Sequence, residues 1–261
     1  MKNRTMPTDP SHPIAELSPR AGFAAPTKFI GWITPSANTV VERVTLGILR
    51  HLPEVSAHFS RTSVVGAVDP FPTSYDFDNM LTAAGLLADA QLDVVAWNGS
   101  KGGSLDFALD HDLAARVQTR TGAPCTTSTL AIDAVFREDK LRRFALVCPY
   151  ADAYRDRIVA TFGRAGYDCV AARNAGRTDN YSFSQIPESE IVAMLRDAAR
   201  ARPEAIVAFC TNFPAAPLVA EMEHELGIPI YDSVSMAVWH ALRLAGVDTA
   251  RASAWGRVFT R

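Results

Sequence analysis

The chain has 261 residues, of which 48% are hydrophobic and 21% charged, with a net charge of −2. That length and apolar content allow a sizeable core in one large domain or two ordinary ones. The near-neutral charge gives no basis for binding nucleic acid or an anionic membrane surface, and no apolar run approaches the roughly 18 residues of a membrane span.

The N-terminal stretch, residues 1 to 26, is proline-containing and lacks the apolar core of a signal peptide. It is expected to be a poorly ordered tail, and the chain is expected to be cytoplasmic. Strand-like runs and helical periodicities then alternate. "KFIGWITP" (28–35) predicts a strand and 38–52 a helix; 55–64 predicts a strand and 77–90 a helix. "LDVVAWN" (92–98) predicts a strand that runs into the glycine-rich "GSKGG", followed by a helix over 104–122 that stops at Gly122. "APCTTS" is read as a connection into a helix over 129–140.

The rhythm then restarts. A strand over 143–150 leads to a helix over 151–166, and a strand follows in "YDCVAARNAG". A helix over 187–201 opens with Pro187 and acidic residues. The strand "EAIVAFCTN" (204–212) precedes a helix begun near Pro214, then the strand "IPIYDS" and a last helix in "VSMAVWHALRLAG". Repeated β-α alternation predicts an α/β fold built on parallel sheets.

The two halves share a pattern: "KFIGWITPSANT" matches "RFALVCPYADAY", and "DVVAWNGSKGG" matches "AIVAFCTNFPA". Each strand ends in a polar loop that opens a helix. Ligands in such sheets sit beyond the carboxyl ends of the strands. Four loops, 35–39, 98–104, 149–154 and 210–214, are therefore expected to meet in one cleft.

Cys210 ends one of these strands, and a thiol ahead of a helix is expected to have a lowered pKa and to act as a nucleophile or proton donor. Cys125, Cys148 and Cys169 fall at a loop start, mid-strand and early in a strand, and are expected to be buried and inert. The four cysteines form no CxxC pair, no Cys/His cluster has zinc spacing, and free thiols are expected. Asn38 can be a helix cap, a carboxylate ligand, or both. Asp179 and Asn180 are read as a turn, and His240 as structural. A phosphate loop fails on pattern, because neither GxGxxG nor GxxxxGK[ST] occurs.

The motifs "GWITPSANTVVE", "DVVAWNGSKGGS", "CPYADAY", "TDNYSFSQIPESEI", "AFCTN" and "GIPIYDSVSMAVWHALRLAG" occur in that order over residues 28 to 260. In order and spacing they resemble the aspartate/glutamate racemase superfamily, in the branch of maleate cis-trans isomerases and arylmalonate decarboxylases. The resemblance implies two pseudo-symmetric Rossmann-like lobes with the site between them. The first lobe would take 27–137 plus 234–261, and the second 138–233.

"PSANT" and "CTN" resemble the isomerases, which carry a first cysteine where this chain has Gly99. A single second-half cysteine resembles the decarboxylases. The resemblance then implies a lyase that uses no metal or organic cofactor and stabilises an enediolate with Ser100, Tyr150 and the amides of Lys101 and Thr211. Cys210 would donate the proton. Pro35, Ser36, Asn38, Gly99, Lys101, Thr211 and Asn212 are the implied substrate-binding residues. Lys101 replaces an expected small polar residue and is read as pointing to solvent, with a second substrate carboxylate as the other option.

Two other classes stay open. One is an isomerase or racemase of a small carboxylate, with Asn98, Ser100 or Lys101 in place of the missing thiol; the other is a carboxylate-binding protein without activity. The oligomeric state is open.

Overall fold

The computed structural model describes residues 26–64 and 73–261, so the N-terminal tail read from the sequence lies outside the described residues except for Pro26. The first half runs β1 (Lys28–Pro35), α1 (Val41–Leu49), β2 (Val55–Thr62), α2 (Phe77–Ala88), β3 (Val94–Trp97), α3 (Gly102–Leu105), α4 (Phe107–Thr121), β4 (Cys125–Thr127) and α5 (Ser128–Glu138). The second runs β5 (Arg143–Tyr150), α6 (Asp152–Arg164), β6 (Asp168–Arg177), α7 (Asn180–Phe183), α8 (Glu188–Ala199), β7 (Ala205–Ala208), α9 (Val219–Leu226), β8 (Ile230–Asp232) and α10 (Ser233–Leu244).

The strands form two four-stranded sheets, ordered β2-β1-β3-β4 and β6-β5-β7-β8, and every pairing is parallel. The second order is the first advanced by four strands, so the two halves repeat one topology. Chain direction across the sheet reverses between β1 and β3, and again between β5 and β7. These switch points open a crevice beyond the strand ends. The central strands β3 and β7 are buried along their whole length, as helices on both faces require, whereas the edge strands β2 and β6 are mostly half-buried. The last helix, α10, packs on α5, α1, β3 and β4, so the C-terminal segment closes the first sheet after the second is complete.

Four local readings are corrected. The helix expected over 104–122 is broken at Asp106, whose extended backbone and side chain, accepting from the Ala108 amide, start α4 afresh. The stretch read as a loop start at Cys125 is a short strand paired with β3. The turn expected at Asp179 and Asn180 opens a one-turn helix, capped by Asp179 through the Ser182 amide. The helix expected near Pro214 begins later, because the chain passes through a turn and the 3-10 segment Ala216–Leu218 before α9. Pro217 in that segment has no N–H to give.

Candidate active site

A cavity open at its mouth lies where the strand ends of both sheets meet. All four expected loops reach it. Pro35 and Asn38 come from the end of β1, and Gly99, Ser100 and Lys101 from the loop after β3. Tyr150 and Tyr154 come from the end of β5 and the first turn of α6, and Cys210 and Thr211 from the loop after β7. Val64, Trp97, Asn180 and Phe183 complete the wall.

Hydrogen bonds between the two halves hold this arrangement. The Asn38 side-chain amide donates to Thr211 Oγ1 at 3.1 Å while its Oδ1 accepts from the amides of Val40 and Val41, so Asn38 caps α1 and faces the cavity at once. The Thr39 amide donates to Asn212 Oδ1 at 2.9 Å. Ser104 Oγ donates to the Tyr154 hydroxyl at 3.1 Å, and the Tyr154 ring stacks on Tyr150 with centroids 4.1 Å apart. The Tyr150 hydroxyl lies 3.5 Å from Ser100 Oγ and within hydrogen-bond reach of the Cys210 sulfur.

The glycine-rich loop after β3 is shaped by space. None of Gly99, Gly102 and Gly103 has a positive φ. A Cβ on Gly99 would clash with the Trp97 ring, 2.2 Å from its nearest carbon, and one on Gly102 would overlap the Asp110 carboxylate. Asp110 is fully buried and accepts from the Tyr75 hydroxyl and from Thr127 Oγ1. Burial raises its pKa to about 6, against the hydrogen bonds from Tyr75 and Thr127 that lower it. The loop therefore sits on a carboxylate platform; the backbone N–H groups of Ser100 and Lys101 in it, and of Thr211 in the loop after β7, have no acceptor among the described residues. Unsatisfied N–H groups beside a cavity are ready donors to an anion. Gly102→Ala is expected to cost about 1–3 kcal/mol of stability through overpacking and to weaken carboxylate binding. Urea unfolding and ligand titration of the variant check both effects.

Cys210 is 3% exposed. Its sulfur accepts from the Asn212 amide at 3.3 Å, and its own amide donates to Ser233 Oγ. The lowered pKa expected from the sequence is overturned. Burial pushes this thiol up to about 12, and the hydrogen bonds from Tyr150 and Asn212 oppose the rise without cancelling it. The late start of α9 removes the helix terminus that the expectation relied on. Of the three cysteines expected to be buried, only Cys148 is, while Cys125 and Cys169 are half-buried; desolvation still pushes Cys148 and Cys125 up to about 12 and Cys169 to about 11, and none of the three lines the cavity.

Eight of the ten site residues named from the sequence line the cavity: Pro35, Asn38, Gly99, Ser100, Lys101, Tyr150, Cys210 and Thr211. Two do not. Ser36 is exposed, and its hydroxyl is exchanged with the backbone of Val64. Asn212 is buried behind the wall and spends its amide group on Thr39 and on the Asn180 carbonyl. Lys101, read as solvent-directed, lines the cavity half-buried. His240 stacks on Trp239 with Nδ1 2.8 Å from Thr126 Oγ1, away from the cavity wall.

Val64, Trp97, Tyr154, Asn180 and Phe183 were not anticipated. Tyr154 carried a signal, because it stands in the 149–154 loop expected at the cleft.

Comparison with known proteins agrees with this architecture. A family model described as arylmalonate decarboxylase matches residues 66–259. The arylmalonate decarboxylase of Bordetella bronchiseptica is 27% identical over 243 residues, covering 90% of this chain and 98% of that protein. The maleate isomerase of Nocardia farcinica is 25% identical over 229 residues, covering 85% and 91%. A solved structure of a Nocardia farcinica maleate cis-trans isomerase variant, with a covalently bound succinylcysteine intermediate, superposes with a TM-score of 0.80 at 22% identity. That match covers 89% of this chain and 98% of the other.

Proposed function

The chain belongs to the arylmalonate decarboxylase family, and from that premise we propose that it removes one carboxylate from a 2-substituted malonate, through an enediolate that Cys210 protonates. The observation that carries this reading is the count of thiols at the cavity. The isomerase relative holds succinyl on a cysteine. Here the first-half position is Gly99, and the Trp97 ring fills the space a side chain would need. The remaining thiol, Cys210, is kept protonated by burial. A protonated thiol is a poor nucleophile and a competent acid.

The retained carboxylate is held by Ser100, Tyr150 and the free amides of Ser100, Lys101 and Thr211, with the Asn38 amide beside Thr211. When the bond to the second carboxylate breaks, its electron pair passes to C2 and into the retained carboxylate, and neutral CO2 departs. Charge on the retained group rises from one to two, and fixed donors aimed there act more strongly on the transition state than on the substrate. Apolar surface from Val64, Trp97 and Phe183 favours neutral CO2 over a carboxylate. The Cys210 thiol then gives its proton to C2 and regains one from water through the open mouth.

A proton NMR assay tests the reading. Phenylmalonate is expected to become phenylacetate, and maleate to remain maleate. Formation of fumarate instead would place the chain with the isomerases.

The thiol's pKa gives a second check. A donor with a pKa near 12 is protonated throughout the neutral and mildly alkaline range. The decarboxylation rate is therefore expected to show no Cys210-dependent change from about pH 7 to about pH 9. A thiolate nucleophile with that pKa would gain roughly tenfold per pH unit over the same range. Alkylation of Cys210 by iodoacetamide, followed by mass spectrometry, is expected to be slow.

A further inference from the structure

Lys101 carries the one charged side chain among the described residues lining the cavity. It is half-buried, and its ammonium makes no ion pair or hydrogen bond with any described residue. A partly desolvated cation that no described residue pairs is costly to bury, so a ligand anion beside it would be favoured. The proposed reaction already serves both malonate carboxylates without it. The retained carboxylate has neutral donors from Ser100, Tyr150, Thr211 and the loop amides. The departing carboxylate becomes neutral, so an ion pair there would hold the ground state more tightly than the transition state and slow the reaction.

From this juxtaposition, and resting on the decarboxylase reading, we infer that Lys101 selects a substrate whose C2 substituent itself ends in an anionic group. The substrate class is a malonate bearing an acidic side arm, with the ammonium of Lys101 paired to that third charge. The aromatic wall of Trp97, Tyr150, Tyr154 and Phe183 is compatible with an aryl spacer between C2 and the anion.

The test separates binding from turnover. Carboxymethylmalonate carries three carboxylates, and isobutylmalonate has a similar shape with two. Calorimetry on Cys210→Ala protein is expected to show the tricarboxylate bound at least roughly tenfold tighter. Adding Lys101→Met is expected to erase that preference, and Lys101→Arg to retain most of it, with melting curves confirming that each variant is folded. Equal affinity for the two ligands with Lys101 intact would overturn the inference. So would an equal loss for both ligands on Lys101→Met, since the lysine would then serve a carboxylate common to all malonates. NMR of the protein with Cys210 intact is run in parallel. A preference in binding without CO2 release would defeat the decarboxylase reading and leave the role of Lys101 standing.

Discussion

Cys210→Ala is expected to lower decarboxylation of an arylmalonate by roughly 10²- to 10⁴-fold, while malonate affinity stays within about threefold. The size follows from what the side chain supplies. The proposed carboxylate donors lie on other cavity residues, so removing the thiol is expected to leave binding in place and to withdraw the acid proposed to complete the reaction. Structural damage is expected to be small. The sulfur takes hydrogen bonds from the Asn212 and Phe213 amides and one from the Tyr150 hydroxyl, all of which can relax locally, and alanine fits the same backbone. Cys210→Ser separates acid from shape: serine is nearly isosteric, but its hydroxyl is a far weaker acid, so it is expected to rescue little. Steady-state kinetics beside calorimetry on the two variants reads both parts. Affinity lost together with activity would instead make Cys210 a residue that builds the pocket.

Gly99→Cys is expected to create no isomerase or racemase, although it restores a thiol to the first half. The added Cβ would clash with the Trp97 ring, which is 1% exposed and meets Tyr75 edge-on at 6.3 Å. Tyr75 in turn is bonded to the buried Asp110 beneath Gly102. The ring can yield only by disturbing that stack, so the variant is expected to lose about 1–3 kcal/mol of stability and much of its activity. Shrinking the obstacle reverses the outcome. Gly99→Cys with Trp97→Leu places two thiols across one carbon, and racemisation of a 2-arylpropionate is expected to rise roughly 10²-fold over Gly99→Cys alone. Chiral chromatography of a single enantiomer incubated with each variant makes the comparison. Equal racemisation by both variants would show that the tryptophan does not control the first face.

The sequence carried the β-α rhythm, the internal repeat and the four loops, because each rests on local periodicity or on a strand end. Most of the cavity residues followed, since they occupy those loops. What was not legible depends on where side chains point after tertiary packing. Ser36 and Asn212 are polar and stand next to cavity residues, but Ser36 turns to the Val64 backbone and Asn212 clamps Thr39 to Asn180. Asn180 and Phe183 reach the site from a one-turn helix too short to show periodicity. Trp97 reads as an ordinary strand residue, and its contact with Gly99 is seen only in three dimensions. The pKa of Cys210 was misjudged because its sign depends on burial against a helix terminus, and the chain after Cys210 turns before it becomes helical.

The most direct measurement is proton and deuterium NMR of 2-methyl-2-phenylmalonate turned over in deuterated buffer, with the product resolved on a chiral column. One thiol on one side of C2 predicts 2-phenylpropionate deuterated at C2 as a single enantiomer, with turnover by Cys210→Ala protein lowered by roughly 10²- to 10⁴-fold. Racemic product, or undiminished turnover by Cys210→Ala, would contradict single-face protonation by Cys210.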